Sequence, residues 1–214
     1  MRLLPLTALS FLLLTGVASA ELYEPAGEPF VAVVVAGQPQ AQIVVPARPA
    51  SLEEFAASEL QAYLARISGA ELPVVEESQR DATQFAFFLG NTRKSKKSGI
   101  VASEKTMGRD GFALQSVENG LIVLGRNDLG TLFGVYELLE RYFDVRWFMP
   151  GDLGECVPTK ATLRVGQIDL TFKPSFRVRW VGKVGYHMED LLEVTQGAPV
   201  VRSDYFDNEE ILVV

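Results

Sequence analysis

The chain of 214 residues has one cysteine, Cys156, and one histidine, His187. A single thiol excludes an intramolecular disulfide framework and any cysteine-based metal cluster, and a single imidazole excludes every site that needs two. Cations are also scarce: 20 Lys and Arg stand against 27 Asp and Glu, a net charge of −7. Such an acidic balance is poorly suited to nucleic acid, which requires clustered cations to neutralise phosphates. The chain does have apolar residues, 48% of the total with thirteen Phe, so it can bury a core, and disorder of its bulk is excluded.

Residues 1–20 read as a secretory signal peptide. Arg2 supplies the positive start, Leu3 to Val17 the apolar run, and Ala18-Ser19-Ala20 the small-x-small cleavage pattern. The run is short for a membrane span of ~20 residues and is interrupted by Pro5. The expected product begins at Glu21, is secreted or periplasmic, and has no membrane contact after cleavage.

The mature part alternates between strand and helix signals. The β-branched run Phe30 to Ala36, a turn at Gly37-Gln38-Pro39-Gln40 and the run Ala41 to Val45 predict a hairpin. Ser51 with Glu54 has capping-box spacing. Leu52, Ala56, Leu60, Tyr63, Leu64 and Ile67 then recur at helical spacing until Gly69, which predicts a helix over 51–68. Strands are expected at Leu72 to Val75 and Phe85 to Leu89, and an exposed basic loop between Asn91 and Lys105. A second hairpin turns at Asn119-Gly120. Asp128 caps a second helix, 129–143, and strands follow at Arg146 to Phe148, loosely within Val157 to Phe172, and at Phe176 to Val181. This order predicts an α+β fold, a mixed or mostly antiparallel sheet carrying two helices in two layers. The domain is expected to span 21–173, with 174–214 the start of a truncated or aberrant downstream region that ends on Ile211-Leu212-Val213-Val214.

Four groups of residues invite a chemical reading. Gly125-Arg126-Asn127-Asp128-Leu129-Gly130-Thr131 has phosphate-loop glycine spacing, but Thr131 stands where the lysine belongs, so turn and packing roles account for the glycines. His187 lies near Glu189 and Asp190, but no second ligand or nucleophile motif accompanies it. The basic run Arg93-Lys94-Ser95-Lys96-Lys97 has no interleaved aromatics to stack bases. Asp152 and Glu155 sit three apart in a Gly-rich loop beside Arg146 and Trp147. Paired carboxylates near an indole suit sugar chemistry. An Arg can hold a uronate carboxylate bidentately. These four residues are the candidate substrate contacts, and no metal or cofactor site is expected.

Several segments in order resemble one accessory domain. Ala57-Ser58-Glu59-Leu60-Gln61-Ala62-Tyr63-Leu64 with Ser68-Gly69-Ala70-Glu71-Leu72-Pro73-Val74 resembles its first helix and following strand. Phe88-Leu89-Gly90 resembles its central strand, and Asp110-Gly111-Phe112 with Leu121-Ile122-Val123-Leu124-Gly125 its hairpin. Gly134-Val135-Tyr136-Glu137-Leu138-Leu139-Glu140 with Val145-Arg146-Trp147-Phe148-Met149-Pro150-Gly151 resembles its second helix and closing strand. That domain precedes the catalytic barrel of family 67-like α-glucuronidases and is related to the second, non-catalytic domain of family 20 β-hexosaminidases. The resemblance covers residues 30–180. It implies catalytic carboxylates on a downstream (β/α)8 barrel of ~200 residues or more, so none is assigned here. Pro174 to Trp180 resembles the start of the first barrel strand. The chain alone is therefore expected to be inactive, with its partner the catalytic barrel of the same polypeptide and a uronic-acid-containing glycan nearby. The alternative is a free-standing exported carbohydrate-binding or interaction module.

Overall fold

A computed structural model describes residues 30–149 and 151–176. The signal peptide, the Phe176 to Val181 strand beyond its first residue, and His187 with its acidic neighbours lie outside the described residues. The fold is α+β, with a six-stranded mixed sheet at its centre.

The first strand, β1 (Val31–Val35), turns through Ala36 and Gly37, both at positive φ, into the two-residue β2 (Gln38–Pro39). That pairing corrects the predicted hairpin. The chain leaves β2 after two residues, and β3 (Ala41–Val45) crosses into the central sheet instead of returning along β1. The other neighbour of β1 is β10 (Leu163–Val165), which closes a separate three-stranded sheet.

Helix α1 (Ser51–Ser68) follows the predicted stripe, burying Leu60, Leu64 and Ile67 completely. It ends at Gly69 in the left-handed conformation (φ 75°), where the Gly69 N–H donates to Ala65 O. Its start lies one residue before the expected cap. Ala50 is the N-cap, and the Glu53 carboxylate, not Glu54, accepts from the Ala50 N–H at 3.0 Å. Glu53 is drawn inward because it also accepts from the Asn91 N–H at 3.2 Å, tying the helix to the end of a strand.

The central sheet has the order β11-β6-β7-β5-β3-β4. Strands β4 (Val74–Glu76), β3, β5 (Phe85–Leu89) and β7 (Gly120–Gly125) run parallel. The antiparallel pairs are β6 (Phe112–Val117) with β7, and β6 with β11 (Asp169–Phe172). The β6–β7 turn occupies Glu118 and Asn119, with Asn119 at φ 54°, so Gly120 already belongs to the strand. Between β5 and β6, the expected loop contains two short helices, α2 (Arg93–Lys97) and α3 (Glu104–Met107). Both are capped by Thr92 and Ser103 side chains, which is why a polar, basic stretch folds locally.

Alternation sorts the strand residues onto two faces. Ile43, Phe87, Leu89, Leu121 and Val123 meet α1 and α4 (Asp128–Phe143) in the main core. Each large side chain fully buried there contributes roughly 1.5–3 kcal/mol. The opposite face holds a smaller cluster, Val44, Ala86, Phe88, Ile122 and Leu124. A polar strap lies over it. Gln42 exchanges two hydrogen bonds with the backbone of Asp81, Asn119 Nδ2 donates to Ala82 O and Gln84 O, and the Arg80 guanidinium stands 5.3 Å from the Phe88 ring centre.

Candidate functional site

The turn from β7 into α4 folds in on itself. Asn127, one residue before the expected Asp128, is the N-cap, and its Oδ1 accepts from the Gly130 N–H at 2.8 Å. The Gly125 N–H donates to Thr131 Oγ1 at 3.0 Å. A Cβ on Gly130 would fall 2.6 Å from Gly111 O, and one on Gly125 only 2.1 Å from Thr131 N. Chain packs against chain here, so the glycines serve close approach and leave no cradle for a phosphate.

The four candidate substrate contacts lie around the short antiparallel pair β8 (Arg146–Trp147) and β9 (Glu155–Cys156), joined through a 3-10 turn at Asp152–Gly154. The register sets Trp147 opposite Glu155 and Arg146 opposite Cys156. Neighbouring strand residues point to opposite faces, and the candidates separate accordingly. Trp147 and Glu155 come together, whereas Arg146 turns to the end of α4, where its guanidinium donates to Glu140 O and, at 2.8 Å, to Val145 O. Through Nη1, Arg146 thus closes the carbonyl end of the helix. The side chain of Asp152 lies outside the described residues.

Trp147 and Glu155 join a cluster that spacing alone did not reveal. Trp147 Nε1–H donates to Tyr63 Oη at 2.9 Å, and the Tyr63 hydroxyl donates to Glu155 Oε1 at 2.8 Å. Arg66 Nη1 stands 2.6 Å from Glu155 Oε2 and places its guanidinium 4.9 Å from the Tyr63 ring centre. The indole meets Tyr63 and Tyr136 edge to face, with ring centres 5.3 and 5.4 Å away. Tyr136 then donates to Glu59 Oε2 at 2.9 Å. Helix spacing supplies the signal: Glu59, Tyr63 and Arg66 recur at i, i+4 and i+7 on one stripe of α1.

Burial dominates the electrostatics of the cluster. It pushes the Glu59 carboxyl above its usual range against the pull of the Tyr136 hydrogen bond, and the nearby Glu155 charge adds to the rise. Burial likewise raises the Tyr136 and Tyr63 hydroxyls, which remain neutral donors. Two carboxylates thus share one side of the domain. Glu155 is ion-paired and accepts from Tyr63, while Glu59 accepts from Tyr136, so both are engaged with neighbouring side chains.

Beyond Trp147 the hairpin projects outward. The Phe148 N–H donates to Gly154 O at 2.8 Å, and a Cβ on Gly154 would fall 1.9 Å from Met149 O, so the two ends of the tip approach closely. Phe148, Met149 and Leu153 are 75%, 60% and 98% exposed.

Residues 34–138 match the model of the glycosyl hydrolase family 67 N-terminus. Among solved structures, the chain is similar to a family 115 4-O-methyl-α-glucuronidase with specificity for decorated arabinogalactans. The TM-score is 0.52 at 21% identity, over 70% of this chain and 19% of that one. It is also similar to the family 20 β-N-acetylhexosaminidase of Streptomyces coelicolor A3(2), with TM-score 0.44 at 16% identity over 69% of this chain and 24% of that one. No curated protein matches the sequence. The chain spans about a fifth to a quarter of the length of these two enzymes.

Proposed function

Starting from a family 67-type N-terminal domain over residues 34–138, we propose that this protein is the non-catalytic accessory part of an exported α-glucuronidase-like glycoside hydrolase. In this role it packs on a catalytic barrel, and Trp147 lies toward the sugar cleft. The observation that carries the reading is the engagement of two neighbouring carboxylates, Glu155 and Glu59. Glu155 is held by Arg66 and Tyr63, and Glu59 by Tyr136. A general acid and base need a proton to exchange and room for a glycosidic bond between them, and these two carboxyls instead bind the closing hairpin to α1 and α4.

The purified chain is expected to show no turnover of aryl-glucuronides. Turnover that copurifies with the chain and disappears in Glu155→Gln would overturn the non-catalytic assignment. Export rests on the Arg2, apolar-run and Ala18-Ser19-Ala20 pattern, and N-terminal sequencing of protein recovered outside the cytoplasm should begin at Glu21. The free-standing module makes a different prediction. Calorimetric titration with glucuronic acid and xylo-oligosaccharides would give binding at millimolar ligand without any barrel present.

A further inference from the structure

Resting on the accessory-domain reading, we infer that the tip of the β8–β9 hairpin, carrying Phe148, Met149 and Leu153, is the surface by which this domain seats on the catalytic domain of a glycoside hydrolase. Three large apolar side chains within six residues are held out in water. Such an exposed apolar group marks an interaction site. The two ends of the tip are held in place. The Phe148–Gly154 backbone bond closes the tip, and the Trp147–Tyr63–Glu155–Arg66 relay fixes its base to α1. A preformed apolar anchor loses little conformational freedom on docking.

The occupant follows from the chain's place among its relatives. The matched family segment is the N-terminus of a hydrolase, and the structural counterpart makes up only 19% of the family 115 enzyme. A domain of this kind therefore stands beside a much larger body. The charged side chains at the base of the tip, Arg146, Glu155 and Arg66, are already committed within the domain. The described side chains that the tip offers a partner, Phe148, Met149 and Leu153, are apolar, and the complementary surface on the catalytic domain is an apolar depression.

The test uses the whole chain and, as probe, a family 67 α-glucuronidase catalytic domain from which its own N-terminal domain has been removed. Binding is measured by sedimentation and calorimetry for the wild type, Leu153→Ser, and a Phe148→Ser/Met149→Ser/Leu153→Ser variant. All three should unfold at the same denaturant midpoint, because the substituted groups face solvent. The triple variant should bind at least about thirtyfold more weakly, the loss expected when anchor side chains are removed, and Leu153→Ser should fall between. Equal binding by the triple variant would overturn the tip while leaving the accessory reading intact. Absence of wild-type binding would overturn both. Self-association of the wild type that the triple variant abolishes would make a second copy the occupant and overturn the proposal.

Discussion

Two glycine-containing turns of this domain look alike in sequence and differ in what they do. The first, Gly125 to Thr131, sits at the carboxyl end of a central parallel strand, where backbone from three segments converges and neither glycine has room for a Cβ. The second, Phe148 to Glu155, sits on a two-stranded flap at the rim and holds three apolar side chains in water. The first turn would suggest phosphate chemistry by its spacing and is packing. The second would suggest paired acids by its spacing, and of the two Glu155 is part of a brace to α1. In both, residue spacing was less informative than what lies across from each residue in space.

The sharpest way to break the comparison is to change one side chain in each turn. Gly130→Ala places a Cβ 2.6 Å from Gly111 O and 3.1 Å from Gly125 Cα, both backbone atoms that cannot swing aside. Alanine's better helix propensity, about 1 kcal/mol, works against this loss and does not cover it. A net destabilisation of about 2–3 kcal/mol is expected, at the upper end for overpacking. Urea unfolding measures it, and a change below about 0.5 kcal/mol, the size of a surface substitution, would mean the turn has room to yield. Leu153→Ala on the other turn should stay within that surface range.

How much of this was legible beforehand follows the same division. Local signals located α1 and α4 closely, because apolar stripes and the Gly69 stop are written in consecutive residues. The first hairpin was misread because Phe30 to Val45 is β-branched on both sides of its turn. Nothing local says that β3 must join β5 while β1 awaits β10, more than a hundred residues later. The caps of both long helices were misplaced by one residue, since Glu53 was recruited by the distant Asn91 N–H and Asn127 preceded an equally suitable Asp128. At the site, Trp147 and Glu155 were legible as candidates together with Arg146 and Asp152. Tyr63, Arg66, Tyr136 and Glu59 were not, because their relation to the hairpin exists only after α1 and α4 pack together.

A smaller effect tests whether the relay braces the second turn. Tyr63→Phe keeps the ring against Trp147 but removes the hydroxyl that accepts from Trp147 Nε1 and donates to Glu155 Oε1. The indole N–H then loses its partner, at a cost of about 1–2 kcal/mol. A double-mutant cycle with Trp147→Phe should recover a coupling of about 0.5–1.5 kcal/mol. Additive losses would show that the two groups stabilise the hairpin separately.

The smallest expected effect lies in the pH dependence of Glu59. Burial raises its carboxyl above the ordinary value in the folded state, so the native protein holds this proton more tightly than the unfolded chain. Stability from this group is then fully present below the unfolded value, near 4.5, and declines as pH rises toward the folded one. Glu59→Gln keeps an acceptor for the Tyr136 hydroxyl and cannot ionise. Relative to wild type, the variant should therefore gain stability between pH 4 and pH 7, a window set by roughly the ordinary carboxyl value and neutrality. The gain is modest because Glu59 is only half-buried and water screens its charge. Unfolding midpoints at the two pH values measure the difference. If the variant instead lost ground as pH rose, the Glu59 carboxylate would be favoured in its charged form, and Tyr136 together with Arg66 would outweigh burial at this end of the brace.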